Sequence, residues 1–534
     1  MGNALDLAER AVTTLEERPP LGYHHIAVII LVIAYLRVSI ERHLYPLEFS
    51  PIAQYHVIVF FYLAFIGGLF IIHSIVRRDV LRTANLTIKG FWIVLLPPLM
   101  DFYLFGRQKG YFYMFNLDVR AFIYHFFTLF ITYTQRGGEH VYGLLIETYL
   151  VSLGSGLYVY IKTRRPGRAV AATFFIYLFM VLLAKGTSYL FTETTHYLVS
   201  NIVFNTIFAI LTLAFLAGIL SVTNRKAFWT VIGNIRPPQT FTFVAMGAVG
   251  AVLAIGPVLI GGSGMPALLS YPFLDEPAET TVSNPSEVLY IRGFSLLSGL
   301  LAIFFIQQTS IVANDIYDRE IDKDTNPDRP LVTGELSLSH YRALGIFFCA
   351  ASYVFIISNA LAVSVYALLC LTTCLVLLIA YSIPPLRVRR WVPNSLFIGA
   401  GAALCLLLGY FTQSTLPPPP PVRRAAALTF LALSLGTNVK DLKDYESDRR
   451  HGVRTLFTTL GREQGKRVCL ALLACSYLLP LIIIPAPRPQ DAVVLVLALF
   501  PAIWSFHSKE ELGPVFATFF LVLLYALARV LGAF

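Results

Sequence analysis

From His24 to the C-terminus the sequence returns repeatedly to apolar runs of roughly 18 residues or more, the length a helix needs to cross a bilayer. About sixteen such segments can be drawn along the chain. Inside hydrocarbon a helix closes its backbone hydrogen bonds within itself, so the expectation is an all-α polytopic membrane protein. Composition agrees. Charged residues make up 13% of the 534 residues, hydrophobic residues 56%, and mean hydropathy is +0.68, whereas soluble domains carry about 25% charged residues.

The net charge of +10 is expected to sit in cytoplasmic loops rich in Lys and Arg, not on a nucleic-acid-binding face. Residues 1–22 read as an N-terminal cytoplasmic segment. They carry acids and lack the apolar core of a signal peptide, and Asp6 stands where a myristoylation signal has Ser or Thr. The six cysteines, Cys349, Cys370, Cys374, Cys405, Cys469 and Cys475, lie in or beside apolar segments with no CxxC pair. They read as small buried hydrophobes, neither a disulfide framework nor a zinc site.

The stretch "NRKAFWTVIGNIRPPQTF", basic and broken by a Pro pair, predicts a linker over residues 224–240. It divides an N-terminal transmembrane domain, 23–223, from a second one, 241–534. Nine apolar segments follow the linker. Their even-numbered connections hold sixteen Lys and Arg and the odd-numbered ones four, which places the even side in the cytoplasm. In the N-terminal block the same test fails. Three candidate spans separate the basic clusters at 77–82 and 162–168, so one is expected not to cross fully. "WIVLLPPLMDF", interrupted by Pro97 and Pro98, is the segment chosen, leaving six crossings. Asp101, Asp118, Arg120, His125, His140 and Glu147 fall at or near bilayer depth, where ionisable groups default to a functional role. An accessory domain and a second enzyme are both compatible with this block.

Chemistry concentrates at two places. "NDIYDREID" ends the second downstream segment and puts Asp315, Asp318 and Asp322 three and four residues apart. An unbroken helix would stack them on one face. "KDLKDYESDRRHGVRTL" ends the sixth segment and repeats the spacing with Asp441, Asp444 and Asp448. Both lie at the ends of even-numbered segments and so on the same side. Six carboxylates there repel one another unless a cation neutralises them, and Mg2+ takes oxygen ligands and bridges carboxylates to phosphates. Two facing clusters with Mg2+ would hold a diphosphate, with Arg and Lys making direct phosphate contacts. Acids that merely end helices in water are ordinary for one such cluster. Two copies of matched spacing and sidedness point to function.

With these motifs the sequence resembles the UbiA superfamily of intramembrane prenyltransferases. "NDIYDREIDKDTNPDRPLVTGELS" is similar to its first motif, NDxxDxxxD followed by Arg-Pro-Leu and a glycine turn, and "KDLKDYESDRRHGVRTL" to its second, DxxDxxxD. "YSIPPLRVRR" resembles the Tyr-Ser-x-Pro-Pro-Leu-Arg signature, and "IRPPQTF" the Arg-Pro that leads into the family's first helix. The resemblance spans residues 235–534 and implies a nine-helix bundle, preceded here by the separate N-terminal helical domain. It implies a prenyltransferase that ionises a prenyl diphosphate donor with Mg2+ and transfers the prenyl group to a small-molecule or lipid acceptor, releasing pyrophosphate. By motif, Asp315, Asp318, Asp322, Asp441, Asp444 and Asp448 carry over as the catalytic, Mg2+-binding residues. Asn314, Arg329, Tyr381, Arg387, Lys440 and Lys443 carry over as donor-binding residues. Where family members often have Lys, this chain has Arg389. The second motif looks less like that of 4-hydroxybenzoate enzymes than like relatives that prenylate homogentisate, chlorophyllide or glycerol-based lipids.

Other classes fit less well. A soluble trans-prenyl synthase is excluded by the membrane segments, and the DGxxARxxG pattern of a CDP-alcohol phosphotransferase is absent. A haem O synthase belongs to the same superfamily and would take a porphyrin acceptor. A transporter or lipid-binding membrane protein using the Asp clusters as cation sites would hold its charges near the midplane, whereas here they lie at one surface.

Overall fold

A computed structural model of the protein describes residues 2–44, 51–105, 142–190, 197–261, 285–360, 365–391, 394–484, 486–509 and 513–530. Asp118, Arg120, His125 and His140 lie outside these. The described secondary structure is helical throughout. Thirteen helices among the described residues are long and apolar enough to cross a membrane, and the protein is an integral multi-pass membrane protein. Proline recurs as an opening residue: Pro51, Pro166, Pro237, Pro285, Pro420 and Pro489 each begin a helix. There its missing N–H would have had no intrahelical partner and its fixed φ suits the first turn.

The chain forms two compact units, Met1–Phe228 and Trp229–Phe534. In the first, the segment expected to fall short is part of the 24-residue helical stretch Val80–Tyr103, long and apolar enough to cross. Within it, Val80–Gly90 passes through a 3-10 turn, Phe91–Leu95, into Leu96–Phe105. Pro98 has no N–H to offer the carbonyl four residues back, so that carbonyl, of Val94, needs another donor. Arg37 supplies it while pairing with Glu41 at 2.6 Å. Asp101 accepts the Gly143 N–H at 2.8 Å, tying the start of Tyr142–Thr163 to Leu96–Phe105. The far end of that helix returns to the start of Val80–Gly90, where Tyr158 and Thr83 hydroxyls lie 3.5 Å apart. The basic clusters 77–82 and 162–168 therefore lie at one end.

At this end the acidic helix Gly2–Glu17 docks on the basic residues. Glu16 accepts from Lys162 at 2.7 Å and Tyr158 at 2.8 Å, and Arg164 pairs with Asp6 and Glu9 at 3.0 and 2.8 Å.

The second unit contains nine long helices among the described residues: Pro237–Gly261, Pro285–Tyr317, Leu338–Ala360, Val365–Ser382, Asn394–Phe411, Pro420–Gly436, Arg462–Leu478, Pro489–Trp504 and Gly513–Val530. Between Pro237–Gly261 and Asn394–Phe411 there is no room for side chains. A Cβ on Gly250 would lie 1.8 Å from the Leu406 carbonyl oxygen, and one on Gly409 1.9 Å from that of Gly247. Small residues allow such backbone contact in membrane bundles, where dispersion takes over from the hydrophobic effect.

At the end of the bundle away from the aspartate motifs, Asp491 begins Pro489–Trp504 and is almost fully buried. It accepts from Arg529 at 2.8 and 3.1 Å, from the Tyr525 hydroxyl at 2.5 Å and from the Arg488 N–H at 2.7 Å. Replacing it with alanine removes two charge-assisted bonds from the buried Arg529 guanidinium. Asp491→Ala is expected to lower the thermal midpoint in detergent clearly, with the affinity for any ligand at the aspartate motifs unchanged. A thermal melt beside a binding titration checks both.

Candidate functional site

The helix Pro285–Tyr317 ends one residue short of Asp318, and a second short helix, Arg319–Thr325, begins after it. The first motif is thus bent, not the unbroken helix that would stack all three acids. The Asp318 N–H still reaches the Asn314 carbonyl at 2.9 Å, and the Asp322 N–H the Asp318 carbonyl at 2.8 Å. All three carboxylates are buried, at 1 to 2% exposure, so each needs partners.

Those partners fall into two sets. Asp315 accepts from Arg236 and, at 3.1 Å, from Arg329 on one oxygen, and from the Tyr341 hydroxyl at 3.0 Å on the other. Arg329 also pairs with Asp322, whose other oxygen takes the Asn326 amide at 3.2 Å. Asp318 instead pairs with Arg387 at 3.1 Å and with Arg389. Arg389 donates further to the Asn314 side-chain oxygen at 2.7 Å. The turn that delivers these arginines is the Tyr-Ser-Ile-Pro-Pro-Leu-Arg stretch. Arg387 sits in the left-handed region at φ 40°, a strained setting for a residue with a side chain, and reaches the Tyr317 carbonyl as well as Asp318.

The second motif follows Pro420–Gly436 through a 3-10 turn, Thr437–Leu442, and a short helix, Tyr445–Arg450. Arg319–Thr325 packs against Tyr445–Arg450, and Arg389 lies within electrostatic reach of Asp448, Asp444 and Asp441. The two motifs therefore face each other with Arg389 between them. Asp441 accepts a long bond from Asn394 at 3.4 Å. Lys440 turns to the Tyr381 hydroxyl at 3.3 Å, its ammonium 6.0 Å from the ring centroid. Lys443 is exposed.

Electrostatics separates the motifs. The first is met by four arginines. Among the described residues no Lys or Arg pairs with Asp441, Asp444 or Asp448 within ion-pair distance. Burial, and then the charges of Asp441 and Asp444, push Asp448 up to about 7. Burial likewise raises Asp441, and raises Asp322 against the pull of Arg329. Among the described residues no three His, Cys, Asp or Glu are already gathered as a metal cage. The donor set, all hard oxygens with an uncompensated negative second half, nonetheless fits a divalent cation that keeps waters and takes one or two carboxylates with phosphate oxygens.

A polar cavity of about 470 Å³ opens beside the first motif, lined in part by Asn234, Arg236, Asn326, Asp328, Arg329 and Glu335.

Of the residues expected from sequence, Asp315, Asp322 and Arg329 fall in one of these sets and Asn314, Asp318 and Arg387 in the other, and Tyr381 joins Lys440 beside Asp441. Gln307 and Thr309, about two turns before the first aspartate, are buried, and Thr309 bonds back to the Phe305 carbonyl at 3.0 Å. Arg236, Tyr341 and Asn394 were not anticipated as site residues. Arg236 had a signal in the Arg-Pro pair. Tyr341 and Asn394 had none, because their partners lie 26 and 47 positions away.

Residues 286–527 match the model of the UbiA prenyltransferase family, a match that does not reach the N-terminal unit. A probable homogentisate phytyltransferase 2, chloroplastic, from Oryza sativa subsp. japonica is 30% identical over 208 residues, 38% of this chain and 54% of that one. A digeranylgeranylglyceryl phosphate synthase from Saccharolobus solfataricus is 29% identical over 232 residues, 42% and 78%. The chain spans about half the length of most curated relatives it matches. Among solved structures, a UbiA homolog from Archaeoglobus fulgidus bound to GPP and Mg2+ is 18% identical with TM-score 0.36, covering 55% of this chain and 98% of that one.

Proposed function

Because residues 286–527 belong to the UbiA prenyltransferase family, we propose that this half of the chain transfers a prenyl group from an isoprenoid diphosphate to an acceptor inside the membrane, releasing pyrophosphate with the help of Mg2+. The observation that carries the reading is the pairing of two buried aspartate motifs at one end of the bundle, with Arg389 between them. Asp441, Asp444 and Asp448, with Asp318 and Asn314 opposite, would hold the cation. Bound Mg2+ would neutralise charge growing on the diphosphate as its bond to the allylic carbon breaks.

The chain's own residues do the rest. Arg329, Arg387 and Arg389 supply planar, permanently charged donors suited to phosphate oxygens. Lys440, held by Tyr381, stands ready to turn to an anion. An allylic cation would call for a site closed to water and faced by aromatic rings, and Tyr381 is the ring that the second motif offers. The acceptor is an electron-rich aromatic ring or a glycerol-based lipid, the two kinds that the relatives' names carry. By the excess of Lys and Arg at the motif end, this chemistry faces the cytoplasm. We assign it to residues 241–534 together with Asn234 and Arg236 of the preceding segment, with 23–223 as a separate transmembrane domain.

The test is pyrophosphate release by the purified full-length protein in detergent, with Mg2+, farnesyl or geranylgeranyl diphosphate, and a panel of aromatic and glycerol-phosphate acceptors. Release that depends on Mg2+ and accelerates with one acceptor is the expected result. Failure to bind any prenyl diphosphate would remove the enzyme reading in favour of a cation-binding transporter.

A further inference from the structure

We infer that Asp315, although it belongs to the first aspartate motif, is not a metal ligand but a positioning residue that holds Arg236 and Arg329 for the diphosphate. This rests on the prenyltransferase reading and deepens it.

A carboxylate offers about four lone-pair sites. Asp315, 1% exposed, already uses three of them, for Arg236, Arg329 and Tyr341. To ligate a cation it would have to shed charge-assisted bonds from two guanidinium groups inside a buried site, where such bonds are strongest. Its neighbours differ. Asn314 and Asp318 turn to Arg389 and through it face the second motif. Asp315 turns the other way, to two arginines that line the polar cavity.

The Tyr341 contact is itself directed. The Asn234 side-chain amide donates to the Tyr341 oxygen at 2.7 Å, which leaves the phenolic proton for Asp315 at 3.0 Å. Tyr341 has no exposed surface, and Asn234 lines the same cavity as the arginines. Asn234, Tyr341 and Asp315 thus form a chain of hydrogen bonds whose product is the fixed placement of two guanidinium groups. Each guanidinium has five N–H donors. Asp315 and Asp322 together occupy only some of them, and the remainder are available to phosphate oxygens arriving in the cavity.

The test separates metal from anion. Mn2+ binding to the full-length protein is followed by loss of the free-ion EPR signal, and inorganic pyrophosphate binding by calorimetry at saturating Mn2+. Asp315→Asn and Tyr341→Phe are expected to keep the Mn2+ affinity within about threefold of the unaltered protein while weakening pyrophosphate by about tenfold or more, the usual reach of an outer-shell partner. Asp448→Asn should do the reverse and lose Mn2+ by about tenfold or more. If Asp315→Asn lowers Mn2+ affinity as Asp448→Asn does, Asp315 is a ligand and the inference is wrong, with the prenyltransferase reading intact. If Asp315→Asn does not fold, Tyr341→Phe decides, and an unchanged pyrophosphate affinity in it overturns the inference. Should the unaltered protein bind neither Mn2+ nor pyrophosphate, the prenyltransferase reading itself falls.

Discussion

Asp444→Ala and Asp448→Ala are each expected to lower Mg2+-dependent pyrophosphate release by at least about 100-fold, the scale on which a preorganised charge-stabilising group acts. EDTA should abolish release in the unaltered protein. The second motif is the place to look because among the described residues no Lys or Arg lies within ion-pair distance of its carboxylates, whereas every carboxylate of the first is met by arginine. The state of Asp448 adds a pH signature. With its carboxyl pushed up to about 7, the cation-free site is increasingly protonated below that pH, and a metal must displace the proton to bind. The Mg2+ concentration for half-maximal release should therefore climb as pH falls from about 8 to about 6. A Mg2+ titration at several pH values measures it. An acidity-independent requirement would mean that Asp448 takes no part in holding the ion.

The second large effect is structural. Gly250→Val and Gly409→Val are expected to leave little monodisperse protein after purification, by size-exclusion chromatography. A Cβ at either position would lie under 2 Å from a backbone carbonyl oxygen of the opposing helix. A flexible side chain could turn aside, but a helical carbonyl can retreat only by moving its helix. Overpacking of a core typically costs about 1–3 kcal/mol, and unyielding neighbours put these sites at the top of that range or above it. The control is Gly293→Ala in Pro285–Tyr317, where nothing lies within 4 Å of the added Cβ. It should behave as the unaltered protein or slightly better, because alanine is the better helix former.

What sequence could and could not tell follows from how far each signal travels. The apolar runs are local, so the nine helices of the second unit could be read directly, as could the two aspartate spacings at their ends. The fate of "WIVLLPPLMDF" could not. Two prolines argue for an interrupted helix, and a 3-10 turn does interrupt it, but the donor that meets the freed Val94 carbonyl, Arg37, lies 57 positions earlier. The same limit governs the site. Spacing brought Asp315, Asp318 and Asp322 together as one stripe, yet the break at Asp318 and the arginines from three other segments divide them. Arg389, noticed only as a departure from the usual Lys, makes the contact that joins Asn314 and Asp318 and lies between the motifs.

The unequal company of the two motifs has a last consequence. Written as letters they are near copies, but the carboxylates of the first are paired with Arg236, Arg329, Arg387 and Arg389, whereas among the described residues no Lys or Arg comes within ion-pair distance of the carboxylates of the second. The same three letters thus stand in two different states, charge-paired in one motif and open to a cation in the other. A guest that is itself two-signed, cation at one end and anion at the other, meets like charge if it enters reversed. Arginine-held carboxylates suit the anionic end of such a guest and unpaired ones its cationic end, so the pairing pattern alone distinguishes its two orientations.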